Sequence, residues 1–288
     1  MADVTRLPDG TFFNHRLQAL NCFEIDVDES VIDEAAAIYY GGEERTGVRG
    51  PFHDIGESGA ARYDDVQTPV GRLFTQRVSG WRSNIAWVAV DDRPSLAKFE
   101  EIWRRLKLPE LYASINPHLG SPRLYCAQYV VRSWCEGHNF HTDYMAATGT
   151  SALSLITPLR DFQETGSFQL SYKAVAEGGT VGPDGSIALG TANAESLRER
   201  PELRQYRYKK GKALVFGSRF EHSTEPGAGH EGEQHAYLCF MFGTDDQAAW
   251  ADISATMDAQ ARVVQEPDGE LRLTALGRAI ERALADVD

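Results

Sequence analysis

The stretch from Arg123 to Phe242 constrains the fold more than any other part of the chain. It carries five short apolar or alternating segments: Leu124–Arg132, Ser151–Pro158, Ser167–Ala174, Lys212–Phe216 and Gln234–Phe242. Turn residues separate them, and each is shorter than an ordinary helix. Ser-Phe-Gln-Leu-Ser-Tyr-Lys-Ala alternates with period two, as a half-buried strand does. Closely spaced strands with turn signals between them predict a sandwich or a closed barrel. A polar excursion over residues 178–200, with Gly182-Pro183-Asp184-Gly185 at its tip, interrupts the series.

The flanks are mixed. Cys22 to Val27 alternates like a strand, and a short helix follows through Val31, Ile32, Ala35 and Ile38, closed by Gly41-Gly42. Residues 41–80 are rich in glycine and charge and predict irregular chain that could border a pocket. Asn84 to Val90 reads as a buried strand. Pro94-Ser95 opens a support helix whose Leu96, Phe99, Ile102, Trp103 and Leu106 keep helical spacing, which puts Trp103 in the core. After Gly243 come a helix (Trp250, Ile253, Met257), a hairpin around Pro267-Asp268-Gly269 and a final amphipathic helix (Leu276, Ile280, Leu284). One domain over 1–288 is expected: strands and helices at 20–110, a mainly β core at about 120–245, and an extension at 246–288 to which the sequence assigns no chemistry.

Composition narrows the partners. The 288 residues are 42% apolar and 25% charged, as in a soluble globular protein. No apolar run approaches the roughly 20 residues that span a bilayer, and the first residues lack the basic and apolar blocks of a signal peptide; a cytoplasmic location is expected. A net charge of −13 disfavours nucleic acid and anionic membrane as partners but leaves small molecules open. Cys22, Cys126, Cys135 and Cys239 show no CxxC pair and read as buried thiols. Oligomeric state is not legible.

The chemistry centres on His141-Thr142-Asp143. On an extended strand, residues two apart share a face at roughly 6–7 Å, so this imidazole and carboxylate can converge on one metal. Two histidines and a carboxylate with open positions form the ligand set of non-haem Fe(II) oxygenases. His222, just past a buried strand, is the candidate for the third ligand. His138 lies three residues before His141, on the opposite face of a strand, and is expected to be a supporting or solvent residue.

With its setting, His141-x-Asp143 followed by His222 resembles the Fe(II)- and 2-oxoglutarate-dependent oxygenases of the prolyl-hydroxylase-like group. The likeness spans roughly 123–245: a strand and glycine turn before the motif, an apolar strand ending Pro158-Leu159, a Gly-Ser-Phe-Gln-Leu strand, and Lys-Gly-Lys-Ala-Leu-Val-Phe ahead of His222. The resemblance implies an α+β chain with a double-stranded β-helix (jelly-roll, cupin-like barrel) and flanking helices. It implies Fe(II) held by His141, Asp143 and His222, with 2-oxoglutarate and O2 as cosubstrates. The implied reaction is hydroxylation, desaturation or cyclisation of a small molecule such as an amino acid or natural-product intermediate; Asp143 occupies the position that related halogenases leave for chloride.

The family usually holds the far carboxylate of 2-oxoglutarate with an arginine on the strand after the distal histidine. This chain has no arginine or lysine between His222 and Gly243, and the slot holds His235. Three readings follow. His235 takes the role, with a strand hydroxyl such as Tyr129; or a cation from another strand does, Arg132, Lys173 or Arg219; or 2-oxoglutarate is not used and His235 is an interior residue. The last corresponds to a cupin-like metal enzyme or binding protein. A structural protein with a relict site is the remaining alternative.

Overall fold

The structure is a computed structural model that describes residues 3–8, 10–46, 61–79, 83–162, 168–175, 180–181, 187–188, 202–229 and 234–285. Its β-rich body uses eleven principal strands: β1 (Cys22–Asp26), β2 (Ala61–Thr68), β3 (Gly71–Ser79), β4 (Ser83–Val90), β5 (Pro122–Cys135), β6 (Ala152–Pro158), β7 (Leu170–Ala174), β8 (Glu202–Tyr206), β9 (Lys212–Phe216), β10 (His222–Thr224) and β11 (His235–Thr244). The large antiparallel sheet runs β1-β9-β6-β11-β5-β4-β3-β2, with Gly227–Ala228 also paired to β5. The small antiparallel sheet runs β8-β7-β10.

The central strands look uniformly apolar because both of their faces are buried. One face of β5, β6 and β11 (Tyr129, Val131, Leu153, Leu155, Leu238, Phe240 and Phe242) packs beneath α1 (Glu29–Thr46), α2 (Arg93–Arg105), α3 (Leu108–Ile115) and α4 (Gln247–Gln260). The other face meets the small sheet: Leu214 and Phe216 pack with Leu170, Tyr172 and Tyr206, and Val130, Ile156, Tyr237 and Cys239 with Phe168 and Tyr208. Each large apolar side chain buried this way contributes about 1.5–3 kcal/mol. Helix α2 starts where Asp92 accepts from the Ser95 N–H at 2.8 Å in a capping box. Trp103 on its inner face meets Phe242 edge-on at 6.0 Å, in the core as expected.

The outline from sequence holds: mostly antiparallel sheet with flanking helices, and after it α4, the hairpin Val263–Gln265 with Leu271–Leu273, and α5 (Ala275–Ala285). Several local expectations do not. The first helix continues through Gly41-Gly42 to Thr46. Residues 61–79, expected to be irregular, form the β2–β3 hairpin at the sheet edge, where a mostly exposed polar strand leaves little apolar pattern. Helix α3 and a small sheet of Val4–Arg6, Phe12–Asn14 and Ala19–Leu20 were not expected. No closed barrel is seen among the described residues; β1 and β2 are open edges. Of the excursion, only the paired residues 180–181 and 187–188 are described, and its Gly182–Gly185 tip lies outside the described residues. No described helix is long and apolar enough to cross a membrane, and all four cysteines are buried free thiols.

Candidate metal centre

His141 and Asp143 follow β5 in a loop, not on a strand as their spacing suggested. What places them is a single antiparallel bridge in which His141 and His222 exchange both backbone N–H···O bonds, each 3.0 Å. That bridge joins the loop to β10 of the small sheet and sets the two imidazole centroids 4.6 Å apart. Asp143 Oδ1 lies 3.8 Å from His141 Nε2 and 3.7 Å from His222 Nε2. One donor atom from each of the three residues lies within 4.8 Å of the others.

The surrounding bonds orient these donors. His141 Nδ1 lies 2.8 Å from the Asn139 carbonyl and His222 Nδ1 lies 3.1 Å from the Phe220 carbonyl. A carbonyl only accepts, so each Nδ1 carries the proton and each Nε2 presents a lone pair. Burial lowers the pKa of His222, with Asp143 opposing and His141 adding to the shift; the ring stays neutral and able to ligate. Phe220 stacks on it and Phe216 meets it edge-on. Ser154, on β6, donates to Asp143 Oδ2 at 2.6 Å, leaving Oδ1 for the histidines. These donors and their fixed tautomers fit a divalent metal with two imidazoles and one carboxylate.

The three residues line a cavity of about 510 Å³ between the sheets. Gln128, Val130 and Arg132 enter it from β5, Ser154 and Ile156 from β6, Tyr237 and Cys239 from β11, and Phe168, Leu170 and Tyr208 from the small-sheet side. Arg132 has no carboxylate partner among the described residues. Two other polar atoms there, Tyr208 Oη and Gln128 Oε1, are buried with no hydrogen-bond partner among them. Burial, with Tyr237, Cys239 and Tyr206 adding to it, pushes the Tyr208 phenol well above its ordinary pKa against the opposing Arg132 cation, so its hydroxyl keeps its proton.

The candidates for the cosubstrate anchor fall in different places. Tyr129 is on the opposite face of β5, its hydroxyl bonded to the Ala35 carbonyl at 2.7 Å under α1; strand alternation removes it from the cavity. Lys173 pairs with Glu221 and lies over the Phe140 ring, outside the cavity. Arg219, at φ +73°, borders a separate cavity beside Asn116 and Thr148. His235 is fully buried, stacked on Phe162 at 3.9 Å and edge-on to Phe168 at 4.9 Å, and does not line the cavity. It is the direct cross-strand neighbour of Arg132, and of the five only Arg132 reaches the metal-ligand cavity. His138 bonds Ser171 Oγ at 3.0 Å and does not line the cavity.

The sequence reading missed Ser154, Tyr208 and Gln260, which donates to the Asp143 carbonyl at 2.9 Å. A hydroxyl midway along the apolar Ala-Leu-Ser-Leu-Ile run was the available signal for Ser154; nothing local marks Gln260.

No family model matches the sequence, and no curated protein matches it. Among solved structures, the chain is similar to AviO1 from Streptomyces viridochromogenes Tue57, at 16% identity over 81% of this chain and 93% of that one, TM-score 0.47. It is similar to the non-haem alpha ketoglutarate dependent epimerase SnoN from nogalamycin biosynthesis, at 14% identity over 80% and 82%, TM-score 0.43. A Pseudomonas putida prolyl-4-hydroxylase aligns at 12% identity over 78% of this chain and 92% of that one, TM-score 0.42.

Proposed function

We propose that the protein is a non-haem Fe(II)- and 2-oxoglutarate-dependent oxygenase acting on a small molecule. The observation that carries this reading is the convergence of two Nδ1-protonated histidines and one half-pinned carboxylate on a cavity that also holds an arginine without a carboxylate partner. In this reading the two facing sheets are the walls of a double-stranded β-helix.

His141, Asp143 and His222 would hold the iron through Nε2, Oδ1 and Nε2. Bound there, iron and cosubstrate supply the oxidising chemistry: O2-dependent decarboxylation of 2-oxoglutarate to succinate, coupled to removal of hydrogen from a substrate C–H bond. Arg132 supplies a planar fork of N–H donors suited to a carboxylate, and the Tyr208 hydroxyl supplies a further donor. We assign the far carboxylate of 2-oxoglutarate to this pair. Apart from Arg132 and Asp143, no described residue of the cavity is an Asp, Glu, Lys or Arg. A substrate neutral at its buried end, met by carboxamides such as Gln76 and Gln128, suits that lining. Apolar walls from Val130, Ile156 and Phe168 limit water at the oxidising centre.

The test is anaerobic titration of Fe(II)-loaded protein with 2-oxoglutarate, read as a visible charge-transfer band, for wild type, Arg132→Gln and His235→Gln. The expected result is a band in wild type, a requirement for at least ten-fold more 2-oxoglutarate in Arg132→Gln, on the scale of a charged hydrogen-bonded pair, and little change in His235→Gln. Metal binding without a band would favour the cupin-like alternative; a band weakened only in His235→Gln would return the anchor to that residue.

A further inference from the structure

We propose that Gln260 is a positioning residue for the metal centre, which makes the C-terminal extension a working part of the site; this rests on the metal reading above. Asp143 sits in a loop with no ladder of its own. On one side the His141–His222 bridge fixes the chain. On the other, Tyr144 is buried and its hydroxyl donates to the Leu153 carbonyl at 3.2 Å. Between them two side chains grip Asp143 itself: Ser154 holds carboxylate Oδ2 at 2.6 Å and Gln260 holds the backbone carbonyl at 2.9 Å. The carbonyl acceptor leaves the amide Nε2 as the only possible donor. The first contact sets the carboxylate rotation; the second sets the peptide plane from which the side chain springs.

Gln260 is the last residue of α4, and its position is fixed from the other side. Two residues on, Arg262 ion-pairs with Asp91, whose side chain is fully buried at the end of β4 and also meets Arg72 Nε at 2.7 Å. The Arg262 guanidinium lies over the Phe74 ring, 4.6 Å from its centroid, and its carbonyl accepts from Thr274 Oγ1 at 3.1 Å. The segment is thus clamped to the large sheet at Arg262 while it reaches the metal loop at Gln260. Ala259, Gln260 and Leu276 also line the metal-ligand cavity, so the extension forms part of its wall. A ligand that binds only through a pre-set Oδ1 depends on this placement, because outer hydrogen bonds fix the geometry of inner ligands.

The experiment is a Co(II) titration of the full-length, metal-free protein, followed by visible absorption, for wild type, Gln260→Met and Gln260→Glu. Both substitutions keep the side chain's length and remove the donor. The expected result is about ten-fold weaker Co(II) binding in both variants, at the lower end of what losing such a partner costs, with a shifted Co(II) spectrum and an unchanged metal-free melting temperature. Equal affinity and an identical spectrum in all three proteins would overturn the role of Gln260 while leaving the metal reading intact. A fall in metal-free stability without a loss of Co(II) affinity would overturn it in favour of a purely structural bond. Absence of Co(II) binding by wild type would overturn the metal reading itself.

Discussion

Asp143 divides its carboxylate between two tasks, and the division is set by one hydroxyl. Oδ1 lies 3.7–3.8 Å from both histidine Nε2 atoms, while Oδ2 accepts from Ser154 at 2.6 Å. Without that bond the carboxylate is free to rotate and to present either oxygen, so part of the binding energy is spent on fixing it. Ser154→Ala is therefore expected to weaken Mn(II) or Co(II) binding about ten-fold without disturbing the fold; calorimetric titration showing wild-type affinity would refute the assignment. The three candidate ligands were legible in the sequence because an HxD pair and a later histidine at the end of a strand form a pattern independent of register. The face taken by each candidate cosubstrate anchor was not. Strand β5 is apolar on both faces, so its sequence does not say whether Gln128, Val130 and Arg132 or their odd-numbered neighbours Tyr129 and Val131 face the cavity. A one-residue difference in parity exchanges the two sets. Tyr129 and Arg132 were both candidates from sequence; Arg132 lines the cavity and Tyr129 lies on the opposite face.

Helix α2 shows how an element far from the candidate metal centre supports it. Its Phe99 contacts Tyr129 and Phe240 edge-on, so it backs the two strands whose other faces carry Arg132 and the β11 wall. Asp92 starts this helix, accepting from the backbone N–H groups of Ser95 and Arg72, each at 2.8 Å. Burial alone would raise the Asp92 carboxyl, but these bonds outweigh it and its pKa lies below the ordinary carboxylate range. A carboxyl with a depressed folded-state pKa contributes stability above its unfolded-state value and loses it as pH falls through the folded one. Asp92→Ala is expected to cost about 1–2 kcal/mol near neutral pH, the range for a lost helix cap. The gap between variant and wild type should narrow below about pH 4; equal denaturation midpoints at neutral pH would remove Asp92 from this role. Helix α2 was legible because its apolar face repeats every 3.6 residues over three turns. The β2–β3 hairpin was not: Ala-Arg-Tyr-Asp-Asp-Val-Gln-Thr is mostly exposed at a sheet edge, and an edge strand needs no apolar stripe.

For the whole molecule, the sheets pack face to face and the candidate metal ligands sit where they are joined. His141 and Asp143 belong to the loop leaving β5 of the large sheet, His222 to β10 of the small one, and Gln260 to the extension. Short-range sequence pattern announces strands but not how far sheets curl, which is why a closed barrel was an open possibility and two sheets with free edges are found. A metal at the junction would add a further link among three parts of the chain that already meet through apolar packing, one β-bridge and a few side-chain bonds. Binding to the folded state alone stabilises it by about 2.7 kcal/mol at a hundred-fold excess over the dissociation constant. For a chain of this size that corresponds to roughly 5–10 °C in melting temperature. Chelator-treated protein titrated with Ni(II), which avoids oxidation in air, should show this rise, and His222→Ala should abolish it. A melting temperature indifferent to Ni(II), or raised equally in His222→Ala, would mean that the three residues do not act as one site. Proton competition gives the same test a direction: His222 must be neutral to ligate and burial holds its pKa below the ordinary histidine value, so the Ni(II)-dependent rise should persist through neutral pH and shrink only as pH falls below the usual histidine range.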